Sequence, residues 1–84
     1  MKTYFVECTV KYRFDEAESK GIEGDESYTY IINALSIRGA KENAVVMAQR
    51  DIKNDFLDDE HISYYDILGV DIEDCYETSD DARI

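Results

Sequence analysis

The residues able to do chemistry in this chain are few and far apart. One histidine, His61, sits in an acidic run, and Cys8 and Cys75 stand near opposite ends. Nucleophilic catalysis needs a base beside its nucleophile, and no Ser or Cys motif points at His61. Zinc sites use closely spaced Cys and His, which Cys8, His61 and Cys75 do not supply. Asp58, Asp59 and Glu60 could draw a divalent cation, but the glycine-centred pattern of an EF-hand loop is absent. Gly21, Gly24, Gly39 and Gly69 compose no phosphate-binding loop. The expectation is a protein that binds rather than catalyses, with no catalytic residue, metal or cofactor.

What the chain holds in quantity is carboxylate. Twenty Asp and Glu against nine Lys and Arg give a net charge of −11. Residues 1–37 carry seven acids and four bases, residues 38–57 three and four, and residues 58–84 ten and one, so the acidity follows position 57. Such a charge argues against direct binding to nucleic acid or an anionic membrane, and favours a partner with a basic surface. The candidate partner-binding residues are Asp58, Asp59, Glu60, Asp66, Asp71, Glu73, Asp74 and Glu77.

Two features single them out. Asp58, Asp59 and Glu60 gather with Asp55 where a helix is expected to end, although a helix C-terminus favours cations. The plainer alternative has Asp58 or Asp59 capping a short helical turn over residues 60–66. Second, Asp71 and Glu73 lie at i and i+2 of a strand, which projects both to one side about 6.6 Å apart. With Asp66, Asp74 and Glu77 they form a row of carboxylates able to imitate phosphates on a basic surface. The plainer alternatives are charges that stop a sheet edge from pairing, and acidity that serves solubility.

The elements that must position these residues are readable from periodicity. Residues 4–14 alternate, with Tyr4, Val6, Cys8, Val10, Tyr12 and Phe14 on one face of a strand. Residues 15–26, polar and holding two glycines, read as a long acidic hairpin loop. Residues 27–35 form a second strand with Tyr28, Tyr30, Ile32 and Ala34 facing inward. Ser36 caps a helix over residues 36–57, whose apolar stripe contains Ile37, Ala40, Ala44, Val45, Met47, Ala48, Ile52 and Phe56. Residues 62–76 form a third strand with Leu68, Val70 and Ile72 as its core row. Gly69 and the Asp74–Cys75 pair suggest a bulge. Residues 78–84 read as a frayed tail.

The expected fold is a single α+β domain over residues 1–84, strand-strand-helix-strand. A right-handed crossover sets the third strand parallel to the second, with the first between them in the order 2-1-3. Cys8 and Cys75 would then sit on opposite faces, unbridged. One helix covers one face, leaving Phe5, Ile31, Leu35 and Ile67 as candidates for a homodimer face on the other. Two cysteines are too few for a disulfide framework, and the opening residues MKTYFVECTV hold no apolar targeting stretch, so a cytoplasmic setting is expected.

The segment Ile32-x-Ala34 followed by Ala44-x-x-x-Ala48 looks like a strand-to-helix junction found in small acidic inhibitors of phages and other mobile elements. In size, acidity, element order and lack of catalytic motifs the chain resembles those anti-restriction, anti-CRISPR and nucleic-acid-mimic proteins. The resemblance implies inhibition by occupying a nucleic-acid-binding surface of a host protein, and carries no functional residue over. The competing expectation is a homodimeric adaptor that acts through its apolar sheet face and strand edges.

Overall fold

A computed structural model describes residues 1–78, which run β1 (Lys2–Glu16), β2 (Ile22–Ala34), α1 (Ile37–Asp58) and β3 (Ile62–Thr78). The sheet order is β2-β1-β3, with β1 antiparallel to both neighbours. The expected α+β topology, with the most apolar strand in the middle, is the one observed. Along β1 the residues facing α1 are Tyr4, Val6, Cys8 and Val10, and the last three have no solvent exposure. Thr78 ends β3; the rest of the expected tail, residues 79–84, lies outside the described residues.

Helix α1 meets the sheet along one i, i+4 row: Ala40, Ala44, Ala48, Ile52 and Phe56, all buried. Three alanines with no exposed surface let the backbone lie close to Val6 and Ile32. The row then grows to Ile and Phe, filling a gap that widens toward the β1–β2 hairpin. There Phe56 meets Tyr12 edge-on at 5.1 Å, Phe14 at 5.9 Å and Tyr65 in a stack at 4.9 Å. Ser36 is the N-cap, its Oγ accepting from the Gly39 amide at 3.1 Å.

The sheet outruns the helix. Fifteen residues of β1 span about 46 Å, while the 22-residue helix spans about 33 Å, within a molecule measuring 48 × 22 × 14 Å. The hairpin tip therefore projects past the last turn of α1.

Three sequence expectations are corrected. The loop expected over residues 15–26 is only residues 17–21, because both strands continue into it. Glu23 pairs with Arg13 and Asp25 with Lys11 across the β1–β2 ladder, so opposite charges stabilise what polarity suggested was loop. Gly24 faces Tyr12 there, and a Cβ at Gly24 would lie 2.8 Å from the Tyr12 hydroxyl. That glycine makes room for a ring rather than for a turn. The turn itself is served by Gly21, whose φ of 64° suits glycine and whose amide donates to Asp15 Oδ1 at 2.7 Å.

The second correction concerns β3. Its register against β1 shifts between Glu7 and Cys8, Lys11 and Tyr12, and Asp15 and Glu16, leaving Glu73, Leu68 and Ser63 unpaired. Each extra residue resets the alternation. Leu68 is thereby removed from the core row and stands 48% exposed. The inward row is Ile62, Tyr65, Ile67, Val70, Ile72 and Cys75.

The third follows from the second. Cys75 opposes Val6 and Cys8 opposes Ile72, which places both thiols on the helix side rather than on opposite faces. Both are free, and burial raises each thiol above its ordinary pKa.

Candidate functional site

The eight candidate acids do not form one surface. Asp66, Asp71 and Asp74 oppose Arg13, Thr9 and Glu7, and so stand on the sheet face away from α1. Glu73, between Asp71 and Asp74, is left unpaired at the register shift between Glu7 and Cys8, and like Asp71 it is exposed. Cations from β1 meet three of the β3 acids: Lys2 Nζ lies 3.5 Å from Glu77, Lys11 Nζ 3.2 Å from Asp71, and Arg13 Nη2 3.6 Å from Asp66. These pairs are about half exposed, so each contributes at most about 1 kcal/mol. They do lower the net field along β3. Asp74 faces Glu7 directly, a like-charge pair near the far end of the sheet.

Asp58, Asp59 and Glu60 lie at the other end, next to the hairpin. Helix α1 ends at Asp58, and no helical turn follows; the chain enters β3 at Ile62. Asp59 shapes this connection. Its amide donates to the Phe56 carbonyl at 3.2 Å, its Oδ1 accepts from the His61 amide at 2.9 Å, and its carbonyl accepts from the Ile62 amide at 3.2 Å. Asp55, also near the helix end, accepts from the Tyr28 hydroxyl at 2.9 Å. Among the described residues no hydrogen bond or ion pair engages the side chains of Asp58 and Glu60.

The fold joins this turn to the hairpin tip. Glu16, Ala17, Glu18 and Ser19 of the tip line an open depression of about 490 Å³ together with Glu60, His61 and Ser63. Ser63 Oγ donates to the Asp15 carbonyl at 3.3 Å, tying the start of β3 to the end of β1. The tip is closed by Glu16 N–H donating to the Ser19 carbonyl at 2.7 Å. Two acidic segments more than forty residues apart thus share one end of the molecule, with Lys20 the one base within residues 15–26. No three His, Cys, Asp or Glu side chains come together as a metal site among the described residues.

Sequence reasoning treated the hairpin and the turn separately and missed this convergence. The order 2-1-3 already contained it. When β1 is antiparallel to β2 and β3, the end of β1, the start of β2 and the start of β3 fall at one end, as does the C-terminus of the helix between them.

A second arrangement was also missed. Tyr28 and Tyr30 of β2 reach across to α1, where Tyr30 donates to Asp51 at 2.6 Å as Tyr28 does to Asp55. The acceptors lie at i and i+4 and the donors at i and i+2, so each pair matches its own element's repeat. Burial first, and then these carboxylates, push both phenols well above the ordinary tyrosine pKa. Their acids anchor β2 and are spent on structure.

The candidate dimer residues also divide. Phe5 stacks on Tyr76 at 4.9 Å, and Ile31, opposite Phe5 on β2, is 56% exposed. Ile31, Phe5 and Tyr76 thus cross the open face as one apolar row. Leu35 stands 83% exposed in the bend after β2. Ile67 is corrected: it opposes Tyr12 and packs on the helix side with Cys8, Val10 and Phe56.

No helix among the described residues is long and apolar enough to cross a membrane. Comparison with protein-family models, curated proteins and solved structures finds no match to this chain.

Proposed function

We propose that this protein is a non-enzymatic acidic binder that occupies a basic, nucleic-acid-binding surface of another protein, and so inhibits it by charge mimicry. The observation that carries the reading is the convergence of Glu16, Glu18 and Glu60 on one projecting end, beside Asp58. The backbone that carries these carboxylates is held by a paired hairpin and a hydrogen-bonded turn, so binding need order only the side chains. A partner bearing Lys and Arg for phosphates would meet a comparable negative field. The acids of β3 extend that field along the sheet, weakened where Arg13 and Lys11 approach.

The test is capture of nucleic-acid-binding proteins on the immobilised chain at about 50 mM and about 500 mM salt, with duplex DNA as competitor. Binding should fall at high salt, yield to DNA, and be lost when Glu16, Glu18 and Glu60 become Gln and Asp58 becomes Asn. Retention by that quadruple variant would refute the reading.

A second reading, assembly through the open face, is favoured by the Ile31–Phe5–Tyr76 row. Ile31→Lys would then disrupt assembly while the acidic substitutions leave it intact.

A further inference from the structure

The two outer strands of the sheet differ in a way that bears on what can add to them. Strand β3 carries three bulges, and β2 carries none: its thirteen residues pair with β1 in unbroken register. Bulges and charges are the usual protections of a free edge, and β3 has both. The segment Ser27–Leu35, the later part of β2 and the residue after it, Ser-Tyr-Thr-Tyr-Ile-Ile-Asn-Ala-Leu, has no charge, no proline and no glycine. It is rich in the β-branched and aromatic residues that favour strand pairing. Its outer backbone edge meets no other strand among the described residues.

We propose that the β2 edge is an interface, and that its occupant is a second copy of this chain, antiparallel about Ile31. The pairing joins two sheets into one of six strands, with both helices on the same side. Charge selects this occupant and this direction. Just before the uncharged segment come Glu23, Asp25 and Glu26; just after it comes the amino end of α1, whose first turn holds Arg38 and no acid. A two-fold centred on Ile31 sets Glu26 opposite Ser36 of the partner subunit, beside a helix N-terminus that favours negative charge. Parallel addition of a copy would instead align acid with acid. The same centre keeps faces matched, Tyr30 meeting the partner's Ile32 and Thr29 the partner's Asn33, as an antiparallel ladder requires. The hairpin tips then point away from each other, giving an assembly with an acidic end at each pole. This interface stands apart from the role proposed for those ends and survives its failure.

Sedimentation equilibrium of the whole chain from about 5 to 200 µM tests it. The wild type should reach twice the chain mass, and Thr29→Lys, exposed and outside the open-face apolar row, should remain at the single mass with unchanged circular dichroism. Tyr76→Lys, which breaks that row, should leave the dimer intact. Oxidation of Ile31→Cys in a Cys75→Ser background should give a covalent dimer. Residues opposed in a ladder lie within disulfide reach, whereas residues on stacked sheets about 10 Å apart do not. A wild type that stays monomeric, a dimeric Thr29→Lys, loss of the dimer in Tyr76→Lys, or no cross-link at Ile31→Cys each overturns the proposal.

Discussion

Strands β2 and β3 flank the same central strand beneath the same helix, yet they are held by different physics. Strand β3 is held by packing: Tyr65, Ile67, Val70 and Ile72 lie against Phe56, Ile52 and Val10, with Tyr65 stacked on Phe56. Strand β2 near the helix C-terminus is held by two hydroxyl-to-carboxylate hydrogen bonds, Tyr30 to Asp51 and Tyr28 to Asp55. Packing has no fixed spacing of donors and acceptors to satisfy and forgives irregular register, so β3 accommodates three bulges. Hydrogen bonds at alternate residues need an unbroken strand, and β2 has one. The same regularity that lets β2 present two phenols at the right spacing leaves its outer edge straight.

The largest break in this comparison comes from Phe56→Ala. Phe56 is 8% exposed and touches Tyr12, Phe14 and Tyr65. Its truncation should cost about 3–5 kcal/mol, read as a drop in the denaturation midpoint. Hydrogen exchange should show the start of β3 losing protection before Tyr28–Ala34. Equal loss on both strands would show that the two are not held independently. Next in size is Gly24→Val, which brings a side chain within 3.0 Å of the Tyr12 ring and displaces that ring from Phe56. Overpacking of this kind costs about 1–3 kcal/mol. Tyr12→Ala in the same chain should relieve the clash, and a double-mutant cycle measures it.

What the sequence made legible divides along similar lines. Period-2 alternation in β1, the Ala40–Phe56 row of α1 and the Ser36 cap were plain, although the expected stripe was broader than the buried row and Ile37 stands 44% exposed. The strand order followed from those elements and the handedness of the crossover. Leu68 and Ile67 were misplaced for one reason: each bulge in β3 resets the alternation, and only Gly69 and the Asp74–Cys75 pair hinted at it. The hairpin was read as too long because Glu23 and Asp25 look like loop until they are set opposite Arg13 and Lys11. The Tyr–Asp pairs join elements more than twenty residues apart and leave no periodic trace in either one. The acidic end was within reach of the sequence, since strand order alone brings residues 16–19 to residues 60–63.

The third prediction sharpens the polar side of the comparison. Tyr30→Phe removes the hydroxyl that donates to Asp51 and should cost about 1 kcal/mol. The sign with pH is fixed by the raised phenol. A group that holds its proton more tightly when folded contributes its stability in full below the unfolded value near 10, and loses it as pH rises toward the folded value. Wild-type stability should therefore fall above pH 10, and Tyr30→Phe should flatten that fall, with Tyr28→Phe acting alike. Phe56→Ala should keep the part of that slope due to Tyr28 and Tyr30 and lose only the part that burial of Tyr12 against Phe56 contributes. A wild-type alkaline slope retained in the Tyr28→Phe, Tyr30→Phe double variant would assign it to other tyrosines.

The smallest effect belongs to the residue that touches both outer strands. Lys11 opposes Asp25 on β2 and pairs with Asp71 on β3 at 3.2 Å, all on the open face. Its side chain is 62% exposed, so its charge is screened by water and contributes at most about 1 kcal/mol. Lys11→Met keeps most of the apolar stem and deletes the charge, leaving two carboxylates without the cation between them. The expected loss is about 0.5 kcal/mol at low salt, shrinking toward about 0.5 M as salt screens an exposed pair. A larger loss in Lys11→Ala that persists at high salt, where the stem is removed as well, would mean that the stem, not the charge, holds the open face together. Strand β2 would then owe part of its attachment to packing after all, and the contrast between the two edges would hold only on the helix side.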